Sequence, residues 1–122
     1  MTQISTANAP AAIGPYSQGM ICGSTIYCSG QIPVDPATGA IAEGIEAQAH
    51  QSCRNVAAVL AAAGSDISKV VKTTCFLSDM ANFAAFNAVY ADYFVSKPAR
   101  SCCAVRELPK GVLCEIEAIA EL

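Results

Sequence analysis

Apolar side chains recur at helical spacing between Glu43 and Ala63: Ile45, Ala49, Cys53, Val56, Leu60 and Ala63 fall three or four residues apart. That period gathers them on one stripe of a helix. Gly64 follows as a residue able to take the left-handed backbone that ends such a helix. A second stripe of Phe83, Asn87, Tyr90 and Phe94 predicts a helix over Met80 to Val95, with Asp79 placed to cap it. Elsewhere the chain reads as strand. Met20–Ile21 and Thr25–Gln31 are β-prone and flank Gly23-Ser24, which predicts a hairpin. Ile67 to Leu77 is rich in β-branched residues. Ala99 to Val105 and Val112 to Ala120 follow as strands, divided by the turn Leu108-Pro109-Lys110-Gly111. Val34 to Gly39 reads as a turn. Ala7 to Tyr16, stiffened by Pro10, Gly14 and Pro15, reads as an ordered loop.

The order is strands, helix, strand, helix, strands. It predicts an α+β fold in which two helices pack on one face of a mixed β-sheet. The other face then needs a cover, and a second copy of the chain would supply it.

Composition sharpens this picture. At 122 residues, with no linker, repeat or low-complexity tract, the chain is read as one domain over 1–122. Apolar residues make up 53%, but 23 are alanine and seven are cysteine, so large core side chains are few. Self-association is therefore expected. No run reaches the ~20 apolar residues of a membrane span. The start lacks a basic segment followed by an apolar one, so no signal peptide is expected. The odd number of cysteines, scattered where Val or Ala would also fit, suits a reducing compartment. His50-x-x-Cys53 is only half a zinc site. A net charge of −3 argues against an extended phosphate-binding surface and so against nucleic acid.

Arg100 is the most informative position. Alternation places Arg100, Cys102 and Ala104 on one face of their strand. A guanidinium among small apolar residues needs an anionic partner. Its planar fork fits a carboxylate with two parallel hydrogen bonds. That carboxylate is either a ligand's or the chain's own Glu115 or Glu117. On the last strand Cys114, Ile116, Ala118 and Ala120 form an apolar face, and Glu115 and Glu117 point the other way. Those carboxylates read either as a solvated face or as an acid/base pair in a cleft. Asn87 interrupts an apolar stripe and must find a partner. Tyr16 follows a rigid Gly-Pro pair. Gly30, after Ser29, permits close approach to its backbone. His50 is the sole histidine, expected at the surface, which leaves little room for a triad.

Taken together and in order, these segments resemble the YjgF/RidA family of reactive-intermediate deaminases. The segments are Ala9-Pro10-Ala11-Ala12-Ile13-Gly14-Pro15-Tyr16, Ser29-Gly30-Gln31-Ile32, Val71-Lys72-Thr73-Thr74, Pro98-Ala99-Arg100-Ser101 and Glu115-Ile116-Glu117-Ala118-Ile119-Ala120. The resemblance implies a chorismate-mutase-like fold and a homotrimer with pockets between subunits. It also implies hydrolysis of 2-iminobutanoate and 2-iminopropanoate to 2-oxo acids and ammonia in the cytoplasm, without metal or cofactor. Arg100 matches the family's carboxylate-binding arginine, and Glu115 the residue that holds or activates water. Cys102 matches the position whose backbone carbonyl places that water. Tyr16, Ser29, Gly30 and Asn87 match pocket-lining positions. The stretch Tyr93 to Pro98 looks several residues shorter than in familiar members. Two other readings stay open. Some members carry the name L-PSP endoribonuclease, and a non-catalytic carboxylate-binding or chaperone-like trimer would use Arg100 without turnover.

Overall fold

A computed structural model describes residues 1–122. Six strands form one sheet: β1 (Thr2–Ile4), β2 (Gly19–Cys22), β3 (Thr25–Gln31), β4 (Val70–Leu77), β5 (Ala99–Ala104) and β6 (Cys114–Glu121). Their order across the sheet is β1-β2-β3-β6-β4-β5. All neighbours are antiparallel except β4 and β5, which run parallel. The parallel pair needs a crossover, and α2 (Phe83–Tyr93) supplies it. The other helix, α1 (Ile45–Ala62), links β3 to β4.

Both helices cover one sheet face, as the periodicity requires. The core lies beneath α1, where Ala49, Cys53, Val56, Val59 and Leu60 meet Ile26, Cys75, Leu77, Ile116 and Ala120. Small residues along α1 let its backbone approach the sheet closely. At ~25 cal/mol per Å², each of the larger aliphatic side chains in this layer contributes about 2 kcal/mol. The opposite face carries no helix. It leaves Tyr27 49% exposed, beside Lys72, Glu117 and Ile119, without a cover in the single chain.

Several element boundaries differ from the sequence expectation. The first helix begins at Ile45, not Glu43, because Gly44 holds φ 88°, outside the helical region. Met80–Asn82 forms a tight 3-10 turn capped by Asp79, whose carboxylate accepts from the Ala81 N–H, and the true helix starts at Phe83. Ile67–Lys69 is likewise a 3-10 turn before β4. The last strand begins at Cys114 rather than Val112. β1 was not expected. It is three residues long, at the sheet edge, and offers too short a pattern to read. His50 is half-buried rather than at the surface, sharing a hydrogen bond of 3.0 Å with the Tyr93 hydroxyl.

Gln18 anchors the first part of the Ala7–Tyr16 loop. Gln18 is buried, and its amide donates to the carbonyls of Thr6, Ala9 and Pro10 while its oxygen accepts from the Thr6 N–H. This pins the loop against β2 and holds Tyr16 near the start of the sheet.

Candidate active site

Arg100 lies on the edge strand β5 and its side chain leans under α2. Its Nη1 donates to Asn87 Oδ1 at 2.7 Å. The guanidinium carbon sits 4.8 Å from the Tyr90 ring centroid and 5.5 Å from that of Phe83. Two aromatic faces and an amide thus hold the cation from one side. Tyr90 is fixed in turn. Its hydroxyl shares a 2.7 Å hydrogen bond with buried Thr73, and its ring stacks on Phe94 at 4.3 Å. Thr73 is also the residue opposite Arg100 in the parallel register. The sequence placed Tyr90 on the right stripe, but Thr73 and the stacking were not expected. The β4–β5 pairing sets Thr73 opposite Arg100, and the packing of α2 over β4 brings the Tyr90 hydroxyl to it.

No carboxylate of the chain reaches Arg100. β6 shows why. Register aligns Cys102 with Cys75 and Ile116 on the helix face, and Cys103 with Phe76 and Glu115 on the open face. Arg100 shares the face of Cys102. Glu115 is therefore on the opposite side of the sheet, two strand spacings (about 10 Å) away. The internal ion pair is ruled out by strand parity, and the guanidinium fork remains available to another anion.

A second cluster forms on the open face. The β3–β6 register shifts between Cys28 and Gln31, so three steps on β3 match two on β6. This bulge turns Gly30 toward Glu115. A Cβ at Gly30 would overlap the Glu115 Oε1 and stand 2.9 Å from its Cδ. Any larger residue at position 30 would have to push the Glu115 carboxylate aside. Beside it, Ser29 donates to the Ser17 carbonyl at 2.6 Å, and half-exposed Tyr16 shares a cavity with Gly30. Burial, reinforced by the neighbouring Glu117 charge, raises the Glu115 carboxyl above the usual glutamate range. A carboxyl moved upward is better matched to proton exchange near neutrality.

Gly30→Ala is accordingly expected to displace the Glu115 carboxylate and lower kcat about a hundredfold, as misplacement by an ångström does. The Gly30→Ala protein should keep its far-UV spectrum. Unchanged turnover would separate Gly30 from the chemistry.

Cys102 is half-buried, and desolvation raises its thiol despite the opposing pull of Arg100. A raised thiol is a poor nucleophile. Cys28 and Cys75 are pushed up to about 12 and Cys114 to about 11, each chiefly by burial. No three His, Cys, Asp or Glu side chains are arranged to hold a metal ion. Cys53 is fully buried, and His50 Nδ1 shares its hydrogen bond with the Tyr93 hydroxyl.

The fold and its two clusters define a class: a small α+β protein that offers an unpaired arginine at one sheet edge and a glycine-backed glutamate on the open sheet face. The chain belongs to the Endoribonuclease L-PSP family, whose sequence model matches residues 6–122. A Salmonella typhimurium protein named 2-iminobutanoate/2-iminopropanoate deaminase is 55% identical over 121 residues, 96% of this chain and 94% of that protein. The solved structure of E. coli TdcF with bound serine is 45% identical with a TM-score of 0.96, covering 100% of this chain and 99% of that one. The E. coli YjgF gene product is 50% identical, also with a TM-score of 0.96, over 99% and 98%.

Proposed function

We infer that this chain is a 2-iminobutanoate/2-iminopropanoate deaminase, hydrolysing reactive imines to 2-oxo acids and ammonia. The observation that carries this reading is an arginine whose hydrogen bond goes to a neutral amide, leaving its charge for a ligand carboxylate. The deaminase name of a 55% identical relative supports the substrate. Serine bound in a 45% identical structure supports a small amino-acid-like ligand.

The working unit we propose is a homotrimer with its sites between subunits. Strand parity keeps Arg100 and Glu115 of one chain apart, so a complete site takes one from each of two chains. An unpaired edge at β5 and a sheet face without a cover support such association.

In that site Arg100, Asn87 and Cys102 come from one subunit, and Tyr16, Ser29, Gly30 and Glu115 from the next. Arg100 grips the carboxylate and orients the C=N carbon. Glu115 takes a proton from water as its oxygen bonds to that carbon, with the Cys102 carbonyl helping to place the water. That proton passes to nitrogen to give a carbinolamine; the carbinolamine hydroxyl then yields its remaining proton through Glu115 to the amine, the C–N bond breaks, and ammonia leaves as the C=O forms. An imine is already electrophilic, so positioning and acid/base help suffice. Seven free thiols with burial-raised members suit the reducing cytoplasm.

The test couples the protein to a threonine dehydratase, which releases the enamine derived from threonine and hence its tautomer 2-iminobutanoate, and follows ammonia. Release well above the uncatalysed rate is expected. Release no faster than in buffer would favour a carboxylate-binding role without turnover. RNA cleavage co-eluting with the assembly would favour the ribonuclease reading.

A further inference from the structure

The link from α2 to β5 runs from Phe94 to Pro98 and carries a strained residue. Lys97 holds φ 51°, a left-handed conformation that favours glycine or asparagine over a long side chain. Its position is fixed on both sides. The Lys97 N–H donates to the Phe94 carbonyl at 3.1 Å, Ser96 Oγ donates to the Val70 carbonyl at 2.9 Å, and Pro98 follows. Strain at an over-determined backbone position is a pointer to function.

Lys97 also lines the adjoining cavity. A hollow of about 590 Å³ is lined by Asn87, Tyr90, Phe94, Lys97 and Arg100 among others, and none of its lining residues is acidic. Two cations therefore line one hollow in a chain whose net charge is −3. Arg100 is committed to one carboxylate under the function proposed above. Lys97 is exposed and shares the hollow with no acidic residue of its own chain.

We propose that Lys97 forms a second anion subsite, so that the protein also takes 2-imino acids bearing a further carboxylate, such as the imines of acidic amino acids. This rests on the deaminase reading. Arg100 would hold the C1 carboxylate, and Lys97 the distal one. Reactions able to supply such substrates are oxidations or eliminations on dicarboxylic amino acids.

The test uses the full-length protein with imines generated in situ by an amino-acid oxidase, from aspartate or glutamate and from 2-aminobutanoate. The variant is Lys97→Asn, because asparagine accepts the left-handed backbone without a charge. The ratio of kcat/KM for dicarboxylic over monocarboxylic imine is expected to fall about tenfold in the Lys97→Asn protein, one charged contact's worth. It should also fall in the wild type as salt is raised, since the lysine is exposed. Lys97→Arg should retain the ratio. A ratio that ignores Lys97→Asn, or a wild type that turns over only the monocarboxylic imine, overturns the subsite and leaves the deaminase reading intact. A wild type inactive on both imines overturns that reading itself.

Discussion

Arg100→Ala is expected to lower kcat/KM for 2-iminobutanoate by about a thousandfold, some 4 kcal/mol, in the range measured when one member of a desolvated, hydrogen-bonded charge pair is removed. The magnitude follows from the surroundings. Tyr90, Phe83 and Asn87 shelter the guanidinium from one side, so the ligand's carboxylate meets a cation that is partly stripped of water. In open solvent the same pair would contribute about 1 kcal/mol or less. Stability should change little. The chain loses about 1 kcal/mol of cation–ring attraction, and Asn87 is only partly buried, so its freed oxygen can turn to water. Arg100→Lys restores the charge but not the two-pronged geometry, and only partial recovery is expected. Steady-state kinetics, with circular dichroism and native mass as controls, decide the matter. Activity within tenfold of wild type would remove Arg100 from the site.

Much of this site was legible in the residues because each strand advertises its own two faces. Arg100 with Cys102, and Glu115 with Glu117, could be paired within their strands by alternation alone. What alternation does not carry is parity between strands. Whether Arg100 and Glu115 share a face depends on how β5 and β6 each register with β4, and a slip of one residue inverts the answer. That information resides in the assembled sheet. The bulge at Ser29-Gly30 escaped for the same reason. A Ser-Gly step inside a strand signals irregularity, but only the pairing of Cys28 with Ala118 and Gln31 with Ile116 locates the extra residue. Thr73 has no chemical signature in the sequence. It matters because a parallel partner sets it beside Arg100 and beneath Tyr90. The helices, by contrast, were readable as elements, although the first runs Ile45–Ala62 rather than Glu43 to Ala63 and the second Phe83–Tyr93 rather than Met80 to Val95. Their stripes are long, and the misfit at Met80–Asn82 reflects a capped 3-10 turn whose hydrogen bonds differ from a helix by a single residue of reach.

Separation by the sheet has a consequence that one experiment isolates. Arg100→Ala and Glu115→Gln proteins should each be nearly inactive alone, yet mixing them after reversible dissociation should restore activity. In the proposed ring of three identical chains every interface is head-to-tail, so on that reading each site takes Arg100 from one subunit and Glu115 from its neighbour. In an equal random mixture, roughly a quarter of sites combine an intact arginine with an intact glutamate, and activity should approach that share of wild type. A double variant carrying both substitutions on one chain, mixed with wild type, sets the opposite control. It poisons every site it enters and rescues none. If instead Arg100 and Glu115 served one site within a single chain, subunit exchange would restore nothing, because each chain would carry its defect into its own pocket. Rescue can therefore arise only if the two residues work across an interface, which the register of β4 with β5 and β6 makes the sole way for them to meet.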